Sequence, residues 1–122
     1  MKEHAVGKLT TYLIDHIEMF KEYPIRAIEE IASRLNNRSY SYKDLITNQG
    51  EDSSELMIIY SGEVGLFRDG NFNESSGTLT ERSVIGTDEL KPYTLMALSN
   101  RVKVLVLHKM FLKDTLFYVK EL

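Results

Sequence analysis

The chain has 122 residues, no cysteine, 15 Lys and Arg against 18 Asp and Glu, and a net charge of −3 at pH 7. That length supports one continuous core, and an apolar fraction of 43% is that of a globular protein. Disulfides, thiolate zinc sites and cysteine nucleophiles are excluded, and the acidic balance argues against a protein that wraps a nucleic-acid duplex. The N-terminal Met1-Lys2-Glu3-His4 leads into no apolar signal-peptide core, and no apolar run approaches the roughly 20 residues of a bilayer span. The expected location is the cytoplasm, without membrane insertion.

The first third reads as helical. Leu9, Tyr12, Leu13, His16, Ile17 and Phe20 recur at three- and four-residue steps, the stripe of an amphipathic helix. Pro24 suits the opening turn of a second helix, where its missing N–H is not needed. Ile25, Ile28, Ile31, Ala32 and Leu35 line that helix's apolar face, and Asn36-Asn37 ends it.

From Arg38 the pattern changes to short apolar segments between turns. Tyr40, Tyr42 and Leu45-Ile46 precede the polar turn Asn48 to Asp52, Leu56 to Tyr60 is a continuous apolar strand, and Ser61-Gly62-Glu63 turns it into Val64 to Phe67. Asp69-Gly70 is a hairpin dipeptide, and the polar stretch Asn71 to Thr78 is a loop. Weaker strands follow at Leu79 to Glu81, Val84-Ile85, Tyr93 to Leu98 and Val102 to Leu107. Short strands at this spacing predict a barrel or sandwich and not a parallel α/β sheet. Leu56, Ile58, Val64, Leu66, Leu95, Val104 and Val106 are the predicted core. Met110, Phe111, Thr115, Leu116, Val119 and Leu122 then form the stripe of a closing helix.

This order resembles the cyclic-nucleotide-binding domain shared by catabolite-activator-type regulators, cAMP-dependent kinase regulatory subunits and nucleotide-gated channels. The resemblance rests on Phe20, the helix Ile25 to Leu35, Asp44-Leu45-Ile46, Gly50-Glu51-Asp52, Leu56 to Tyr60 and Ser61-Gly62-Glu63-Val64. Thr94 to Leu98, Val104 to Leu107 and Phe111 carry its closing part, and Gly50 to Val64 is its most specific stretch. It implies a mainly β fold with flanking α: an eight-stranded antiparallel β-roll, jelly-roll-like, between N-terminal and C-terminal helices. One domain, 1–122, is expected, with helices over about 6–36, the roll over about 38–108 and the C-terminal helix over about 109–122.

In that family a Gly-Glu pair opens a short helix whose amides face the cyclic phosphate, the Glu accepts from the ribose 2′-hydroxyl, and an Arg grips the phosphate. The matching stretch runs from Val84 to Thr94. The resemblance assigns nucleotide contacts to Gly86, Thr87, Lys91, Tyr93 and Thr94. Thr87 stands where the ribose glutamate belongs, Lys91 falls at the arginine, and Tyr93 replaces a small residue. The segment is also several residues short. Lysine offers a point charge without the bidentate fork, and Asp88 and Glu89 oppose an anion. The cassette reads as degenerate.

Catalysis has no foothold in these residues. His4, His16 and His108 stand far apart, none with a second ligand at metal-binding spacing, and the acidic pairs read as solvated faces. His16 reads as a packing residue at the edge of its stripe. The leading expectation is a non-enzymatic regulatory or interaction domain without tight cAMP or cGMP binding and without a cofactor. The first alternative is a genuine cyclic-nucleotide or small-anion sensor; the second, from another class, is a metal-dependent cupin-like enzyme. Seven tyrosines and an apolar surplus at Phe117 and Tyr118 suggest a homodimer or a partner protein on the C-terminal helix. No helix-turn-helix appears in the sequence, so direct DNA binding is not expected.

Overall fold

A computed structural model describes residues 2–112, with side chains from Gly7 onward. The described chain divides into a helical unit, which runs through Asn36 and resumes at Leu107, and a β unit, Asn37–Val106. The expected closing helix begins with helical backbone over 109–112; its remainder, including Phe117 and Tyr118, lies outside the described residues.

In the helical unit, α1 (Lys2–His16) leads through a 3-10 turn (Glu18–Phe20) to α2 (Ile25–Arg34). The predicted stripe buries Leu13, Ile17, Phe20, Ile28, Ile31 and Ala32, and α1 packs on α2. Ile25 departs from it and is 60% exposed. A helical side chain leans over the turn N-terminal to its own Cα, and at the first position that turn does not exist. His16 is exposed instead of packed, its ring edge-on to Tyr12 at 5.3 Å. Pro24 is the N-cap, extended at φ −60° and ψ 148°. Arg34 pairs with Glu30 at 3.0 Å and lies over the Phe111 ring at 4.3 Å.

Eight strands follow: β1 (Asn36–Ser41), β2 (Leu45–Thr47), β3 (Glu55–Ser61), β4 (Val64–Phe67), β5 (Gly77–Leu79), β6 (Val84–Ile85), β7 (Thr94–Ala97) and β8 (Arg101–His108). They form two four-stranded sheets, ordered β1-β8-β3-β6 and β2-β7-β4-β5. Antiparallel pairing sets Val64 opposite Ala97 and Met57 opposite Ile85. The fold is the predicted β-roll: mainly β, antiparallel, with flanking helices.

Alternation along the strands makes the core. Met57, Ile59, Ile85, Val102, Val104 and Val106 from the first sheet meet Val64, Leu95 and Ala97 from the second, with Tyr40 and Tyr93 packed at the margin. Of the predicted core all are buried except Leu66, which is half-buried. Leu56 and Ile58 are buried on the opposite face of β3 from Met57 and Ile59, which is why this strand reads as continuously apolar. Asp69 and Gly70 both take positive φ, 57° and 72°, closing the predicted hairpin between Arg68 and Asn71. Gly62 turns at φ 102°, where an added Cβ would lie 2.9 Å from the Arg101 carbonyl oxygen. Backbone approach requires that glycine.

Candidate functional site

The segment 84–94 is held on both sides by the roll. β6 pairs with β3, and the chain then reverses at Gly86, φ 102°, against the backbone of Glu55. A Cβ there would collide with the Glu55 carbonyl oxygen, so this position must be glycine whatever the segment binds. Thr87 is extended, with no side-chain cap, and precedes a single 3-10 turn, Asp88–Leu90. The loop thus forms one tight turn in which the Leu90 and Lys91 N–H groups donate back to the carbonyls of Thr87 and Asp88, each at 3.2 Å.

Beyond this turn the segment is tied to the loop between β2 and β3. The Gly50 N–H donates to the Lys91 carbonyl at 2.8 Å, and the Gln49 N–H to the Thr94 hydroxyl at 3.0 Å. Lys91 Nζ pairs with Asp52 Oδ1 at 2.8 Å. That hydrogen bond first, then the charges of Asp52 and Asp88, hold the Lys91 ammonium above its usual pKa. The Gln49 side chain also exchanges two bonds with Asp69: Nε2 donates to Asp69 Oδ1 at 3.1 Å, and the Asp69 backbone N–H donates to Gln49 Oε1 at 2.7 Å. Tyr93 turns to the guanidinium of Arg68, 5.4 Å from its ring centroid. Of the five residues assigned from sequence, Lys91 and Thr94 come together on the loop 49–52. Gly86 and Thr87 sit at the far end of the 3-10 turn, and Tyr93 faces the 68–71 hairpin.

Sequence reasoning missed a cleft of about 230 Å³ beside this segment. Its lining comes from Arg38 of β1, Ile46 and Thr47 of β2, residues 48 and 51–54 of the following loop, and Glu55 and Met57 of β3. Arg38 and Glu55 form a bidentate pair, Nη1 to Oε1 at 2.8 Å and Nη2 to Oε2 at 2.9 Å. Nη1 also donates to the Tyr40 hydroxyl at 3.3 Å, and that hydroxyl faces the Met57 sulfur at 3.8 Å. The two charged side chains are 40% and 31% exposed. Glu55 first and Tyr40 second raise the guanidinium's pKa above its ordinary value. The signal in the sequence was the two-residue period: Arg38 stands two before Tyr40, and Glu55 two before Met57, and Tyr40 and Met57 belong to the core face.

The lining carries one cation, Arg38, against three carboxylates; Arg38 pairs with Glu55, and Lys91, from outside the lining, pairs with Asp52, which leaves the charge of Glu51 in excess. An anion entering here meets net repulsion. Among the described residues no cluster of three or more His, Asp or Glu side chains is placed to hold a metal ion, and no helix is long and apolar enough to cross a membrane.

No family model and no curated sequence matches the chain. Solved structures do. The regulatory subunit of a cAMP-independent protein kinase A from Trypanosoma cruzi, bound to guanosine, superposes with a TM-score of 0.79 at 19% identity, over 93% of this chain and 41% of that one. The regulatory domain of Toxoplasma gondii PKA with cAMP gives 0.76 at 13% identity, over 97% and 48%. The cAMP-bound protein PfPKA-R gives 0.77 at 20% identity, over 99% and 43%. The chain therefore has the fold of these kinase regulatory proteins, two of them bound to cAMP and one to guanosine, and spans less than half the length of each structure.

Proposed function

We propose that this chain is a non-enzymatic regulatory or interaction domain of the cyclic-nucleotide-binding fold, working in the cytoplasm, that does not hold cAMP or cGMP tightly. One observation carries the reading. Lys91 is the only cation between Gly86 and Thr94, and it is ion-paired with Asp52 at 2.8 Å beside a further acid, Asp88. A cyclic phosphate would have to displace Asp52, and it would gain a single ammonium without the in-plane fork that makes Arg–phosphate pairs strong. A one-turn 3-10 segment also presents fewer aligned amides than an α-helix start. The Trypanosoma cruzi subunit, a cAMP-independent regulator with the same fold, supports this reading.

The output of such a domain is a contact with a partner protein or with a second copy. The segment 109–122, read from sequence as an apolar-rich helix, is the element proposed to make it. The kinase regulatory subunits among the structural neighbours favour a protein partner over DNA.

Titration calorimetry with cAMP and cGMP tests the proposal. Dissociation constants weaker than about 100 μM are expected, and a submicromolar value for either nucleotide overturns it. That outcome would favour the sensor reading, which the two cAMP-bound neighbours recommend. Gly86, Thr87, Lys91, Tyr93 and Thr94 would then be the contacts.

A further inference from the structure

Seven lysines and arginines lie in the β unit. Four have partners: Arg38 and Lys91 pair with Glu55 and Asp52, and Lys43 and Arg68 lie over the rings of Tyr42 and Tyr93. Arg82, Arg101 and Lys103 have none among the described residues, although the chain is net acidic. All three are exposed, and they gather at one end of one sheet. β3 and β8 are neighbours, and the end of β3 meets the start of β8 where Gly62 approaches the Arg101 carbonyl and Val102. Val102 and Val104 belong to the core, so Arg101 and Lys103 stand on the outer face of β8, as Tyr60 does on β3, one step from Ile59. On the other side of β3 the Arg82 N–H donates to the Ile59 carbonyl at 2.8 Å, which sets Arg82 beside Tyr60. Tyr60 is 49% exposed between these cations. Arg82 has a φ of 76°, in the left-handed region that glycine takes freely and a long side chain only with strain. Its guanidinium makes no bond to a described residue that would offset that strain.

We infer that this outer face of the β1-β8-β3-β6 sheet, centred on Tyr60, docks an extended acidic segment of a partner protein. Residues two apart on a strand repeat at about 6.7 Å, so Arg101 and Lys103 match carboxylates on alternate residues of an extended chain. Arg82 meets a third carboxylate from the other side of Tyr60, and the ring offers a flat apolar contact between them. Tyrosine and arginine are the residues that such contacts favour. No acid of the described chain competes for these three cations, so an incoming carboxylate displaces only water. A net charge of −3 disfavours a nucleic-acid strand, which needs a longer basic track. The surface shares no residue with the segments 84–94 and 109–122, so the inference stands or falls apart from the proposed function.

The test is an NMR titration of the full chain, at about 20 mM salt, with a capped peptide of about ten residues that alternates Glu and Thr. Saturable binding is expected, with amide shifts at Tyr60, Arg82, Arg101 and Lys103 and a loss of about tenfold in affinity at about 0.5 M salt. The same peptide with Lys in place of Glu should not bind. The double variant Arg101→Glu, Lys103→Glu should weaken binding about tenfold. Lys8→Glu, Arg26→Glu alters the net charge equally on the helical unit and should leave affinity within about twofold. Arg82→Gly should weaken binding about threefold and raise the melting temperature, because it removes the guanidinium and the strain together. No saturable binding up to about 10 mM overturns the inference. So do shifts confined to other residues, or a loss in the Lys8, Arg26 variant equal to that in the Arg101, Lys103 variant. Tighter binding of a single-stranded oligouridylate of about ten nucleotides also overturns it and makes the face a nucleic-acid platform. Sedimentation of the chain alone at the same salt completes the test: a dimer abolished by the Arg101, Lys103 variant would name a second copy as the occupant and overturn the inference. The titration uses the unaltered protein, so it decides even if a charge-reversed variant fails to fold.

Discussion

The middle of the roll and its mouth are built by the same strands under different rules. In the middle, the inward side chains Met57, Ile59, Val64, Leu95, Val102 and Val104 are apolar, and Ile59, Val64, Leu95 and Val102 are fully buried. Any apolar residue of similar volume serves there, so the requirement is one of period and size. At the mouth, inward positions of β1 and β3 carry Arg38 and Glu55, and the neighbouring loop is fixed by individual bonds: Gly50 to Lys91, Gln49 to Thr94, Lys91 to Asp52. Each joins residues some 40 positions apart. The middle is specified by the period and size of its side chains, the mouth by individual polar bonds. Lys91 and Thr94 secure the loop 49–52.

The sharpest test of the difference lies in the middle. Leu95→Ala removes a fully buried side chain between the sheets and should cost about 4 kcal/mol in urea unfolding. A cost below about 1 kcal/mol would mean that the sheets are not packed through this residue.

Gly86→Ala comes next, at about 3 kcal/mol, because it combines a left-handed φ with a Cβ driven into the Glu55 carbonyl. Gly70→Ala is its control: positive φ with no atom within 4 Å of the added Cβ, hence about 1 kcal/mol of backbone strain alone. Equal melting temperatures for the two variants would show that the close approach of β3 to the 84–86 turn is absent.

Arg38→Met leaves Glu55 without its fork and should cost about 1–2 kcal/mol, a figure reduced because the pair is about one-third exposed. Restoration of stability by the double Arg38→Met, Glu55→Met variant, read from the same denaturation curves, would confirm that the charges are not kept for folding. The smallest effect is expected at Lys91→Met, where the unfolding midpoint should stay within experimental error. A large shift there would move the segment 84–94 from the rim into the structural core.

Much of the fold was legible from period and turn chemistry. The alternation around Val64 and Val104, the Asp69-Gly70 hairpin and the helical stripe ending at Phe20 each follow from local rules that hold before any tertiary contact forms. Ile25 was misjudged because helical periodicity carries no information about where the first turn ends. The candidate site was legible only as a set of positions. That Lys91 meets Asp52, or that Arg38 reaches Glu55 across β8, depends on sheet order, which no spacing in the sequence encodes. The two-residue offset of Arg38 from Tyr40 was the available clue, and it becomes meaningful only once the inward face is known.

The reciprocal bonds between Gln49 and Asp69 join two surface excursions that a 20-residue separation keeps apart in sequence. Gly50 and Gln49 meanwhile bind the 91–94 strand entry through their own amides. Three connections that would otherwise fray independently therefore share their restraints, and local opening of one exposes amides in the others. In amide hydrogen exchange the N–H groups of Gln49, Gly50 and Asp69 should form a single kinetic class. Gln49→Ala should accelerate exchange at Gly50 and Asp69 together. The loop 49–52, the 68–71 hairpin and the entry to β7 are then one cooperative unit at the mouth of the roll, and a restraint placed on one of them slows exchange in the other two.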